Sequence, residues 1–158
     1  LAAIFLKYIR VAEEGTARLN LRLMAMTIRG MTHKRTLTAS RFLYYAGFMA
    51  TLSREEVIVL ATLYKNEALE PDRTSNNEAR GRARVRTREE LVPAFFPTER
   101  HLNCTLQAAT RTGLVVGATG WGALVYETTP LMEEVASLAA FRDALKKEVG
   151  CESDRGNP

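Results

Sequence analysis

Residues 111–131 read RTGLVVGATGWGALVYETTPL, and the fold of this chain turns on them. Gly113 stands where a helix has to end, because glycine takes the left-handed conformation of a helix C-terminus without a Cβ penalty. Leu114, Val115 and Val116 then form a short apolar run, and Leu124, Val125 and Tyr126 form a second. Between them, Gly117 to Gly122 is a glycine-rich segment of six residues, which predicts a β-hairpin with a longer turn than the commonest types. Thr129 is placed to cap the helix that follows, and Pro130 takes its first position, where a proline sacrifices no hydrogen bond.

Upstream of the hairpin, Thr98 suits the N-cap of a helix in which Leu102, Leu106 and Ala109 share one face. Thr87-Arg88-Glu89-Glu90 spells a capping box, predicting a short helix that carries Leu91, Val92, Phe95 and Phe96 and stops at Pro97. A like box at Ser53-Arg54-Glu55-Glu56 opens an earlier helix, with Val57, Leu60, Ala61 and Tyr64 as its apolar stripe. Residues 66–86 lie between the two and differ in kind. They hold Pro71, Ser75, Asn76, Asn77, Gly81 and alternating arginines, with few large apolar residues. Such a segment buries too little surface to offset its ordering entropy, which predicts a mobile arginine-rich insertion.

The first 52 residues read as a helical arm. Phe5, Ile9, Ala12, Thr16, Leu19, Leu23 and Met26 follow the alternating steps of four and three that make one helical seam. Ala12, Gly15 and Thr16 weaken it, so a bend near residues 14–16 and a straight rod are both compatible with the pattern. The seam can pack on the same chain or on a second copy, and the second case predicts a homodimer. GMTHKRT at 30–36 reads as a connector. A helix from about Thr38 to Leu52 follows, with Phe42, Tyr45, Ala46, Met49 and Leu52 on one face. The resulting division is an arm over 1–52, a domain over 53–141, and a helix end with a frayed tail over 142–158.

Composition sets the class. A chain of 158 residues is long enough for one good core, and 46% hydrophobic with 25% charged residues is ordinary for a globular protein. No apolar run approaches the roughly 20 residues that span a bilayer, so no membrane partner is expected. The chain opens on Leu1, which predicts that a start is missing. The net charge is +4 and unevenly spread. Eight basic residues between Lys7 and Arg41 face only Glu13 and Glu14, and six arginines between Arg73 and Arg88 face only Glu78. One face could meet a polyanion, although solvated helix faces explain the same charge. Cys104 and Cys151 lie outside any CxxC spacing, which suits idle thiols in a reducing compartment.

Catalytic signals are missing from the pattern. His33 and His101 lie far apart without clustered ligands, which predicts no metal site and no cofactor. The paired glutamates at 55–56, 89–90 and 133–134 sit at or near helix starts, where they complement the macrodipole. Gly117, Gly120 and Gly122 lack the lysine and following helix of a phosphate loop. An enzyme is therefore not expected.

The order from Ser53 onward is helix, loop, short helix, helix, hairpin, helix. Together with the words Arg111-Thr112-Gly113-Leu114-Val115 and Tyr126-Glu127-Thr128-Thr129-Pro130-Leu131, it resembles the winged helix-turn-helix domains of bacterial regulators, broadly of the MarR and PadR kind. The resemblance covers about residues 53–141. It implies a mainly α fold of five or six helices with one β-hairpin wing, to which the N-terminal helical arm is added. The long arginine-rich segment departs from that pattern, in which the corresponding connection is usually short.

By this resemblance, Thr98–Thr112 is the recognition helix, and it would present Thr98, Arg100, His101, Asn103 and Gln107 to duplex DNA. Arginine can read guanine, and asparagine or glutamine can pair with adenine. Glu99 among them opposes the approach of phosphates. Arg80, Arg82, Arg84 and Arg86 would contact the backbone, and Trp121 at the wing tip is either a contact or an anchor tucked against the domain. The expected function is a cytoplasmic DNA-binding transcriptional regulator. The alternative is a winged-helix module used for protein–protein interaction or assembly in a larger or mobile-element system.

Overall fold

A computed structural model describes residues 2–4, 6, 9, 18–70, 77–120 and 123–139. Trp121, the proposed bend at 14–16 and the tail from 140 onward lie outside these. The described chain is mainly helical with one two-stranded antiparallel sheet. It divides into two compact units, Leu1–Arg54 with Glu134–Pro158, and Glu55–Glu133.

In the first unit, α1 spans Arg18–His33 and α2 spans Ala39–Met49. The helix α1 runs through most of the expected connector at 30–36, Gly30 included. A Cβ added at Gly30 would come within 2.9 Å of the Leu138 Cα, so glycine here permits close backbone approach instead of breaking the helix. Leu19 and Leu23 of the front seam are buried, along with Met24 and Met31. The buried Asn20 donates from Nδ2 to the Leu52 carbonyl at 2.8 Å, satisfying backbone beyond the end of α2. Thr38 caps α2 by accepting from the Arg41 amide, and Phe42, Tyr45, Ala46 and Met49 form its buried face as the spacing predicts.

The helix α3 spans Arg54–Glu67, all but its first residue in the second unit. One apolar stripe is expected there, but Ile58 and Val59 are buried beside Val57, Leu60, Ala61 and Leu63, so α3 is covered nearly all round.

The segment from 77 onward corrects the expected mobile insertion. Asn77–Leu91 is a single helix, α4. Its buried positions are Ala79, Ala83, Thr87 and Leu91, every fourth residue. Two alanines and a threonine bring backbones close with no bulky side chain, and alanine, arginine and glutamate are strong helix formers. Thr87, expected as an N-cap, is interior: its hydroxyl donates to the Ala83 carbonyl at 2.8 Å and accepts from the α3 residue Asn66 at 3.1 Å. The short helix expected up to Pro97 therefore ends at Leu91. Pro93 sits two residues on, and a proline both lacks the amide and pushes its predecessor out of the helical region. Phe96 is buried, whereas Phe95 is exposed.

Thr98 caps α5, Glu99–Ala109, by accepting from the His101 amide at 3.3 Å. A 3-10 turn over Thr110–Thr112 leads to Gly113, which is left-handed at φ 72°. Strands β1, Val115–Gly120, and β2, Ala123–Thr128, then pair from Val115 with Thr128 to Gly120 with Ala123. The ladder thus includes Gly117 and Gly120, both expected in the turn, because main-chain pairing tolerates small residues. The helix α6 spans Pro130–Ala139. Thr129 accepts from the Met132 amide at 3.4 Å and donates to the Gly113 carbonyl at 2.6 Å, while its own amide donates to the Leu114 carbonyl. The end of α5 and the start of α6 are stitched together at that point.

Candidate nucleic-acid interface

An α-helix with a buried seam on every fourth residue leaves two flanks beside that seam. In α4 the arginines occupy both. Arg80, Arg84 and Arg88 recur at steps of four on one flank, and Arg82 and Arg86 do so on the other. The alternation that reads as an unstructured run is two i,i+4 ladders. Each ladder meets carboxylates of the same unit. Arg82 and Arg86 reach Glu70 at 2.8 and 2.7 Å, and Glu70 is 4% exposed. Arg80 pairs with Glu127 at 2.9 Å. Arg84 and Arg88 lie 3.7 and 3.4 Å from Glu99, the first residue of α5. The four arginines expected to contact phosphates are thus ordered and ion-paired.

The helix α5 buries Leu102, Leu106 and Ala109 and turns its other residues outward. Arg100 and His101 are exposed, and Arg100 forms no ion pair among the described residues. The His101 ring Nδ1 lies 2.8 Å from the Thr98 hydroxyl, which fixes the imidazole over the N-terminus. Asn103 is half-buried. Gln107 is exposed but engaged, since its Oε1 accepts from the Tyr126 hydroxyl at 2.9 Å. Burial pushes the Tyr126 phenol pKa up, so the group stays protonated as a donor to Gln107. The structure brings Thr98, Arg100 and His101 together on one exposed turn; Asn103 and Gln107 lie further along. Cys104 on the same helix is exposed.

Three carboxylates in this unit have partners that the sequence pattern does not supply. Glu56 forms a two-pronged pair with Arg111, whose Nη2 donates to Oε2 at 2.8 Å, and this bonding raises the Arg111 pKa. Glu67 is buried and accepts from the Thr128 amide at 3.0 Å and from the Thr128 hydroxyl, tying α3 to β2. Glu70 is the third. All three are apolar-flanked in sequence or sit near a helix terminus, and no local pattern announces their partners.

Glu67, Glu70, Arg80, Glu127 and Glu133 line a cleft of about 230 Å³. Among the described residues no group of three or more His, Cys, Asp or Glu side chains is disposed to hold a metal ion. Nor is any described helix long and apolar enough to cross a membrane. Family models, curated proteins and solved structures were compared with the chain, and none matches it.

Proposed function

We propose that this chain is a winged-helix DNA-binding protein, a cytoplasmic transcriptional regulator that reads duplex DNA with α5. The observation that carries the reading is the first turn of α5, where Arg100 and His101 face solvent and Arg100 keeps its charge unpaired among the described residues. The order of α3, α4, α5, hairpin and α6 supports it. So does the local charge, because Glu99 is turned onto Arg84 and Arg88 and leaves the first turn positive. Thr98 and His101 help position the helix, and Arg100 is the base reader. The test is fluorescence anisotropy of mixed-sequence duplex DNA across a salt series. Binding that weakens steeply with salt is expected, and Arg100→Ala lowers affinity for the preferred sequence about tenfold while flattening sequence preference. No binding at low salt removes the proposal.

A second reading, a winged-helix module that contacts another protein, is favoured by one observation. Val85, Phe95 and Val116 are exposed large apolar side chains of this unit. A pull-down returning nucleic acid and no protein counts against it. A homodimer would have to use residues other than Leu19 and Leu23, which are buried within the chain itself.

A further inference from the structure

The Glu99 carboxylate occupies the place of an anion. A groove of about 280 Å³ is lined by Gly81, Arg84, Val85, Arg88, Glu99 and Val125. Each Glu99 oxygen answers one guanidinium: Oε1 lies 3.7 Å from Arg84 and Oε2 lies 3.4 Å from Arg88. Both separations exceed the 2.7–2.9 Å usual for charge-assisted hydrogen bonds, and Glu99 is 45% exposed. The pair is therefore loosely held and cheaply broken. Gly81 leaves the groove open on the α4 side, for a Cβ there would meet nothing within 4 Å. A phosphodiester carries one negative charge on two non-bridging oxygens, which is what a carboxylate offers to two guanidinium groups. Arg100 lies next to Glu99 in the chain and carries a further positive charge at the same end of α5.

We propose that this groove is a backbone-phosphate site of duplex DNA, clamped by Arg84 and Arg88, and that Glu99 is its built-in competitor. Glu99 holds the two arginines in place in the free protein and swings out to solvent when a phosphate enters. This rests on the DNA-binding reading and assigns to that surface a clamp and an internal brake. Glu70 does not compete in the same way, because it is buried and pairs with the other arginine ladder.

The experiment uses the full chain and mixed-sequence duplex DNA in a salt series, with Glu99→Gln, Arg84→Ala/Arg88→Ala, and the three changes combined. Glu99→Gln is expected to bind every duplex about tenfold more tightly, and the double arginine change about tenfold more weakly with a salt slope lower by about one. The decisive result is the cycle: the gain from Glu99→Gln vanishes when both arginines are absent. A gain of equal size in that background shows only relief of long-range repulsion and overturns the clamp. Unchanged affinity of Glu99→Gln, with the parent protein still binding, overturns this inference and leaves the DNA reading intact. If neither the parent nor any variant binds at low salt, both fall. Arg88→Ala alone, at a site 44% exposed, repeats the test where the double variant fails to fold.

Discussion

Glu70 and Glu99 each receive two arginines from α4, and the two arrangements differ in the burial of the carboxylate and in the closeness of its partners. Glu70 is 4% exposed with its arginines at 2.7 and 2.8 Å; Glu99 is 45% exposed with its arginines at 3.4 and 3.7 Å. A buried carboxylate must be compensated, because stripping water from an ion costs several kcal/mol that only close partners return. An exposed one has water as an equal alternative, and its pairs are worth about 0–1 kcal/mol. Arg82 and Arg86 on one flank of the helix are therefore built for the fold, while Arg84 and Arg88 on the other are left exchangeable. Ion pairs that look alike in a count have opposite meanings once burial is known.

The comparison breaks most directly at Glu70. Arg82→Ala with Arg86→Ala strands a buried carboxylate, and we expect a loss of about 2–3 kcal/mol in denaturant unfolding, discounted because both guanidinium groups are themselves about half exposed. Adding Glu70→Gln removes the stranded charge and restores part of that loss. Stability within about 0.5 kcal/mol of the parent after the double change would mean that Glu70 is hydrated and no different from Glu99.

Arg111→Ala sharpens the rule on a second buried carboxylate. Glu56 is 3% exposed and held from two sides by one guanidinium. One arginine is withdrawn instead of two, so about 2 kcal/mol is expected, read by the same denaturation. A loss under about 0.5 kcal/mol would separate burial from pairing and weaken the whole contrast.

How far these features can be read from sequence depends on the range of the interaction. Thr98, Gly113, Thr129 and Pro130 act within a few residues, so their roles follow from local spacing and all four sit as the pattern predicts. The helix α4 was not legible, because the usual signal is a stripe of large apolar residues, whereas its seam is Ala79, Ala83, Thr87 and Leu91. Alanine at a seam and alanine in a loop look the same until a partner surface is known. The carboxylates were illegible for a related reason. Glu70 and Glu99 lie respectively 12 and 11 residues from Arg82 and Arg88, and Glu56 lies 55 from Arg111. Whether such residues meet is decided by the fold. The exposed turn at Thr98, Arg100 and His101 was legible, since helix periodicity alone turns it away from Leu102 and Leu106.

A third kind of carboxylate, in the other unit, tests whether exposure alone decides the matter. Glu134 is 40% exposed, close to Glu99, yet it is gripped. Arg41 Nε donates to the Tyr45 hydroxyl at 3.1 Å, and Arg41 Nη2 donates to Glu134. The Tyr45 hydroxyl first, and then the Arg41 guanidinium, hold the Glu134 carboxyl below the ordinary glutamate range. A depressed folded-state pKa stabilises the fold above the unfolded glutamate's value of about 4.3, and that contribution is lost as pH falls through the depressed value. Tyr45→Phe removes the larger cause and should raise the Glu134 pKa toward the ordinary range, so that the acid loss begins at a higher pH, a small effect best read by NMR titration of the carboxyl carbon. An unmoved titration in Tyr45→Phe would show that the hydroxyl does not grip the carboxylate. Exposure alone would then account for Glu134 as it does for Glu99, and the distinction among exposed pairs would reduce to distance.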